Sequence, residues 1–291
     1  MAQSCVCKTR KKVMKTMTYI TNTSFLTGGV EIEFHNAGGM HRSVSEWETM
    51  IHGAGFDYVQ VKSDGSPNVD VELVFPPMPL HMAGGAYQDI GAVLNFVENN
   101  GGKVSKKGCG LHVHVGNRAV KDISPQDYWA HSKERMQMDG GYFMPVDSQL
   151  CDVMPLALVR DVIQRYATHH NDVDGILAPS RREGDYTTRF CRCIRRVGFG
   201  GTHASEFSNA TSISQMNSIL GGKFSAVSVN TWTTHQTMEF RQHQATLDIV
   251  KLDAWCALID GMFRFSDAQR LDYVSPAETI VQTPAMPYRN G

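Results

Sequence analysis

Gly29-Val30-Glu31-Ile32-Glu33-Phe34 and Leu111-His112-Val113-His114-Val115 alternate apolar and ionisable residues with a period of two. That period belongs to a β-strand with one buried face, because successive side chains point to opposite sides. In the first run Val30, Ile32 and Phe34 share one face and Glu31 and Glu33 the other. In the second, Leu111, Val113 and Val115 oppose His112 and His114. A third run, Met238-Glu239-Phe240-Arg241, sets a carboxylate and a guanidinium against two apolar residues. The members of each polar pair stand roughly 7 Å apart. Taken singly, each pair also fits the wet face of a half-buried strand. Taken together they differ from such a face, which mixes Lys, Thr, Ser and Gln, because they carry almost only metal-ligand types. Crowded carboxylates repel one another unless cations compensate. Oxygen-rich sites with an occasional imidazole suit Mg²⁺ or Mn²⁺ better than structural zinc.

Around these runs the chain reads as α+β. Residues 45–52 predict a short helix, and 58–62 and 69–75 a strand pair around the turn 63–67, which adds Asp64 and Glu72 to the acidic set. Ile90, Val93, Leu94 and Val97 give residues 86–99 a helical face, stopped by Asn100-Gly101-Gly102. Residues 124–167 read as helical, 168–210 as irregular and 211–220 as a short helix. Residues 223–232 and 237–243 read as strands, and 249–265 as a closing helix with Trp255 and Phe263 in the core. The resulting division is a basic tail over 1–25, one main domain over 26–274 with a helical and irregular insertion at 120–222, and an extended tail over 275–291.

Lys and Arg number 28 against 29 Asp and Glu, a balance that excludes a generally basic nucleic-acid binder. No stretch approaches about 18 uninterrupted apolar residues, so no membrane span is expected. Seven cysteines are an odd number spread over a long chain and do not read as a disulfide framework, which points to a reducing cytoplasmic compartment. Two Cys-x-Cys pairs, Cys5/Cys7 and Cys191/Cys193, could together form a four-thiolate zinc site, with free thiols as the plainer reading. Arg181, Arg182, Arg189, Arg192, Arg195 and Arg196 crowd one segment. It reads equally as a lid closing on phosphate and as a solvated basic face. His169 and His170 before Asn171-Asp172-Val173-Asp174 read as a polar loop that could also bind metal.

The four motifs Gly29–Glu33, Lys62–Ser66 with Val71–Leu73, Gly108–His114 and Met238–Arg241 resemble, in order, the glutamine synthetase and γ-glutamylcysteine ligase superfamily. Within it they are most similar to the amidoligases of phages, bacteria and fungi. The resemblance implies a curved, mostly antiparallel sheet of glutamine synthetase type, flanked by helices. It implies a first metal ion on Glu31, His112 and Glu239 and a second on Glu33, Asp64 and Glu72. It further implies His114 near a phosphate of ATP and Arg241 on the transferred γ-phosphoryl group. Arginines that glutamine synthetases carry on the preceding strand are missing here, so Lys223 and Asn230 would serve in their place. The implied activity is ATP- and Mg²⁺-dependent joining of a carboxylate to an amine through an acyl phosphate, in the cytoplasm or, for a phage protein, that of the host. The carboxylate could be an amino acid, a peptide or a cell-wall peptide, and a homo-oligomer is open.

Two rivals stand beside this reading. One is a metallohydrolase with His112 and His114 on zinc. The other is a non-catalytic binding or virion-associated protein that docks through its basic tail and arginine segment. A Ser-His-Asp pattern is lacking, and Gly221-Gly222-Lys223 lacks the upstream glycine and the following helix of a phosphate-binding P-loop.

Overall fold

The structure, a computed structural model, describes residues 20, 24–38, 41–63, 69–105, 108–139, 151–182 and 190–271. Asp64, Cys5, Cys7, Arg189 and both expected tails beyond these bounds lie outside the described residues. The elements in chain order are strand β1 (Ser24–Asn36), helix α1 (Val44–Gly53), β2 (Gln60–Lys62), β3 (Val71–Val74), β4 (Met78–Pro79), α2 (Ala86–Asn99) and β5 (Gly102–Lys103). They continue with β6 (Leu111–Lys121), α3 (Pro125–Asp139), β7 (Cys151–Val153), α4 (Leu156–Thr168), α5 (His170–Ile176), α6 (Ala204–Ser208) and α7 (Ile213–Leu220). The last four are β8 (Val227–Ser228), α8 (Trp232–His235), β9 (Thr237–Phe240) and α9 (Ile249–Leu271).

All the ladders between named strands are antiparallel. The sheet runs β2-β3-β1-β6-β9-β8, with β4 and β5 also pairing β1 and β7 pairing β6. This is a mixed helix-and-sheet protein with an open, antiparallel sheet, as the family resemblance implied. Val30, Ile32, Phe34, Leu73, Val113, Met238 and Phe240 are buried on one face. The same core cluster takes Ile90, Val93, Leu94 and Val97 of α2, Val159 and Ile163 of α4, and Leu252, Trp255 and Phe263 of α9. Each such side chain contributes on the order of 1.5–3 kcal/mol on burial. The helices therefore cover the apolar face, and the alternation leaves the ionisable residues on the other.

Several segments depart from the sequence reading. The long helical stretch from 124 is broken: α3 and α4 are separate, and β7 lies between them on the outer half of β6. Residues 168–210 are more ordered than their weak periodicity predicts, holding α5, α6 and 3₁₀ turns at Pro179–Arg181 and Arg195–Val197. The expected loop after His169 is helical, because His170 and Asp174, one turn apart, both meet the buried Gln242. The predicted strand over 223–232 shrinks to Val227–Ser228. Gly221 and Gly222 adopt left-handed backbone, the Ser225 hydroxyl bonds back to Leu220 O and Gly222 O, and α8 takes over from Trp232.

Candidate metal centre

Cross-strand register assembles the site. Glu31 pairs with His112, Gly29 with His114, Glu33 with Glu72, and His114 with Glu239. Partners in register share a face, so residues distant in the chain converge over the middle of the sheet. The Glu31 carboxylate reaches His112 Nδ1 and His114 Nε2, each at 3.4 Å. Glu239 Oε1 is 3.8 Å from each of the same two nitrogens. His112 Nε2 lies 3.7 Å from Glu33 Oε1, and Glu33 Oε2 accepts from the backbone N–H of Gly110. Arg241 pairs directly with Glu239 and donates through Nε to Phe190 O. Glu33, His112 and Glu239 are buried.

The tautomer of His114 follows from a short chain of hydroxyls. Thr231 Oγ1 donates to Thr237 O, and Thr237 Oγ1 donates to Thr231 Oγ1. Thr237 Oγ1 is then left to accept from His114 Nδ1 at 3.2 Å, an assignment made from the network. The Nε2 lone pair consequently faces Glu31 and Glu239 and, among the described residues, has no hydrogen-bond partner. The carboxylates of Glu31 and Glu239 thus converge with this imidazole on one point, where Arg241 already pairs with Glu239, and a further cation would complete the arrangement. Potential ligand atoms fall into two such groups, Glu31/His114/Glu239 and Glu31/Glu72/His112, with the atoms of each within 4.8 Å of one another. Glu31 belongs to both.

Electrostatics agrees with this geometry. Burial pushes the Glu31 carboxyl up, but the facing imidazoles of His112 and His114 outweigh it and hold the group well below the usual carboxylate range. Burial likewise opposes the charge on His114, and the carboxylates of Glu31 and Glu239 overcome it and raise the imidazole. A place that so favours a proton favours a divalent ion for the same reason.

A cleft of about 180 Å³ adjoins the Glu31/His114 end, lined also by Gln60, Lys62, Phe75, Pro77, Met136, His235 and Thr237. Gly29 and Gly116 form part of its wall. A Cβ on Gly116 would come within 2.3 Å of Thr27 Oγ1, so glycine there is a packing requirement.

Glu31, Glu33, Glu72, His112, His114, Glu239 and Arg241 are therefore brought together. His114, expected on phosphate, also stands in one potential ligand group, and His112, 3.8 Å from Glu239, stands with Glu31 and Glu72 in the other. Lys223 and Asn230 make no hydrogen bond or ion pair with the cluster. Lys223 is exposed with Nζ 4.8 Å from the Phe224 ring centroid, and Asn230, also exposed, accepts from Asn217. Three neighbours of the cluster were given no individual role by the sequence. Thr237 shares the parity of Glu239 and Arg241 and was legible by that signal. Gly110 shares the parity of His112 and was legible likewise. Buried Arg181 had no signal beyond the crowding of arginines.

Residues 41–129 match the model of a family described as "Putative amidoligase enzyme", which supports the resemblance drawn from the motifs. The matched span holds Glu72, His112 and His114, while Glu31, Glu33, Glu239 and Arg241 lie outside it. A search of curated proteins finds no match to the chain.

Proposed function

We propose that this protein is an ATP-dependent carboxylate–amine ligase on a glutamine synthetase-type sheet, with Mg²⁺ or Mn²⁺ at two adjoining positions. The observation that carries the reading is the convergence of the Glu31 and Glu239 carboxylates on His114 Nε2, which has no hydrogen-bond partner among the described residues, beside a second group that shares Glu31. The amidoligase family match supports the reaction class.

The donor set is carboxylate oxygen with one imidazole in each group, which fits hard divalent ions. Glu31, His114 and Glu239 would hold one and Glu31, Glu72 and His112 the other, with Glu33 beside His112. Bound there, the ions supply charge neutralisation for phosphate oxygens. The chain's own residues do the rest. Arg241, kept in place by Glu239 and Phe190 O, offers a guanidinium to the transferred phosphoryl group. Thr237 orients His114. The adjoining cleft, lined by Glu31 and His114 among others, would seat a substrate beside them.

In the first step a substrate carboxylate oxygen bonds to the γ-phosphorus of ATP, and the bond to ADP breaks with its electron pair leaving on ADP. In the second, an amine nitrogen bonds to the acyl carbon, phosphate departs with the electron pair, and the nitrogen loses a proton. No side-chain nucleophile is needed, because positioning and electrostatics carry both steps.

Thermal unfolding with Mg²⁺, ATP, both together and Zn²⁺ tests the reading. A ligand at a hundred times its dissociation constant stabilises the native state by about 2.7 kcal/mol. The expected midpoint shift requires ATP and Mg²⁺ together. A shift with Zn²⁺ alone, or no shift with any of the four additions, overturns the proposal.

A further inference from the structure

Arg181 is 4% exposed. Among the described residues no carboxylate oxygen lies within ion-pair distance of its guanidinium, and its Nε has no hydrogen-bond partner. A buried cation without an anion is costly in any fold. Its location is specific. An added Cβ on Gly110, on the face that carries His112 and His114, would meet His112 Nε2 at 2.9 Å, Arg181 Nη2 at 3.3 Å and Glu33 Oε2 at 3.3 Å. The guanidinium thus ends at the same point as two members of the candidate metal centre. Nη2 donates to Cys109 O, which aims the group along the start of β6.

The backbone of this turn is tied to the segment just after β9, which carries Arg241. Gln242 Nε2 donates to Arg181 O and Gln244 Oε1 accepts from Ala178 N. Buried Cys191 hydrogen-bonds Arg181 and also feels the charge of Arg241, so the two guanidinium groups flank one thiol. Arg241 and Arg181 thus stand near one another on the polar face.

We propose that Arg181 supplies a second guanidinium for the phosphoryl oxygens, at the Gly110 end of the cluster. It takes the place for which Lys223 and Asn230 were the sequence candidates. This assignment rests on the ligase reading. Arg181 binds the anion and exchanges no proton, and its fork of donors suits two phosphate oxygens where a lysine offers a point charge.

The test compares wild type, Arg181→Met and Arg181→Lys in the full chain by calorimetric titration with Mn²⁺, MgADP and MgATP, with thermal unfolding as a fold control. In Arg181→Met the affinity for MgATP is expected to fall at least about tenfold, while Mn²⁺ and MgADP stay within about threefold. Arg181→Lys is expected to fall between it and wild type and carries the comparison if Arg181→Met does not fold. Unchanged MgATP affinity, or equal losses for all three probes together with a lowered melting midpoint, overturns the assignment and leaves Arg181 a structural residue. Failure of the ligase reading itself has a different signature: the wild-type protein binds no MgATP.

Discussion

Glu31 stands opposite His112 across the β1–β6 ladder, and its carboxylate is shared between His112 and the next imidazole on the same face, that of His114. One side chain therefore serves both potential ligand groups. Replacing Glu31 by Gln keeps the shape and removes one charge and one ligand oxygen from each group. The expected result is weakened Mn²⁺ binding at both positions and a fall in ADP formation of at least about a hundredfold, with the far-UV circular dichroism unchanged. Loss of a single Mn²⁺ equivalent, with the other intact, would contradict the shared role.

Gly110→Ala tests the crowding at the start of β6. The added methyl would come within 2.9 Å of His112 Nε2, so the ring or the backbone must move. Stability is expected to fall by about 1–3 kcal/mol, and Mn²⁺ affinity by about tenfold, as for changes behind a ligand elsewhere. Titration of the variant with Mn²⁺, followed by electron paramagnetic resonance, reads the second effect directly.

How far the sequence carried this site depends on whether a residue's role is local. Parity along β1, β6 and β9 is a two-residue signal, so Glu31, Glu33, His112, His114, Glu239 and Arg241 were legible as partners on one face. Which carboxylate meets which imidazole was not, because that depends on the relative register of strands about 40 to 130 residues apart in sequence. Helix α2 was legible to its bounds through Ile90, Val93, Leu94 and Val97. β8 was overextended because Ala226, Val227 and Val229 look like strand residues, while the turn bonds of Ser225 that shorten it are side-chain details. α5 was missed because His170-Asn171-Asp172 has weak helix propensity. Its order comes from Gln242, 72 residues away.

That glutamine supports the next expectation. Gln242 is 1% exposed. It accepts from Tyr166 Oη and donates to Asp174 Oδ1 and Arg181 O. Gln242→Leu would leave a buried phenol and a carboxylate without this partner. A loss of about 2–4 kcal/mol is expected, measured by urea unfolding. A value under about 0.5 kcal/mol, the range of ordinary surface substitutions, would mean that the network is not cooperative.

His243 predicts a pH dependence. Burial, aided by the charges of Arg181 and Lys251 and opposed by its bond to Gln244 O, depresses the imidazole from 6.5 to about 4. As pH falls the unfolded chain takes up this proton first. The stability His243 contributes is complete above about pH 6.5 and is lost progressively toward pH 4, with a slope approaching 1.4 kcal/mol per unit. His243→Phe, which preserves a ring against Trp255, should remove that slope. Unfolding midpoints of both proteins at pH 7.5 and 5 decide it, and parallel losses in the two would assign the effect to other groups.

The strict segregation of faces has a consequence for folding fidelity. A one-residue slip of β6 against β1 would turn His112 and His114 toward the helices and expose Val113, because pairing by one step reverses every side chain. Catalytic-type residues so placed act as an error check on strand pairing: the wrong alignment strands polar groups in the apolar layer, and only the right one gathers them. A variant with Glu31, Glu33, His112 and His114 all made apolar would lose more than chemistry. It would tolerate misalignment, and its characteristic defect would be heterogeneous refolding and aggregation rather than simple loss of stability.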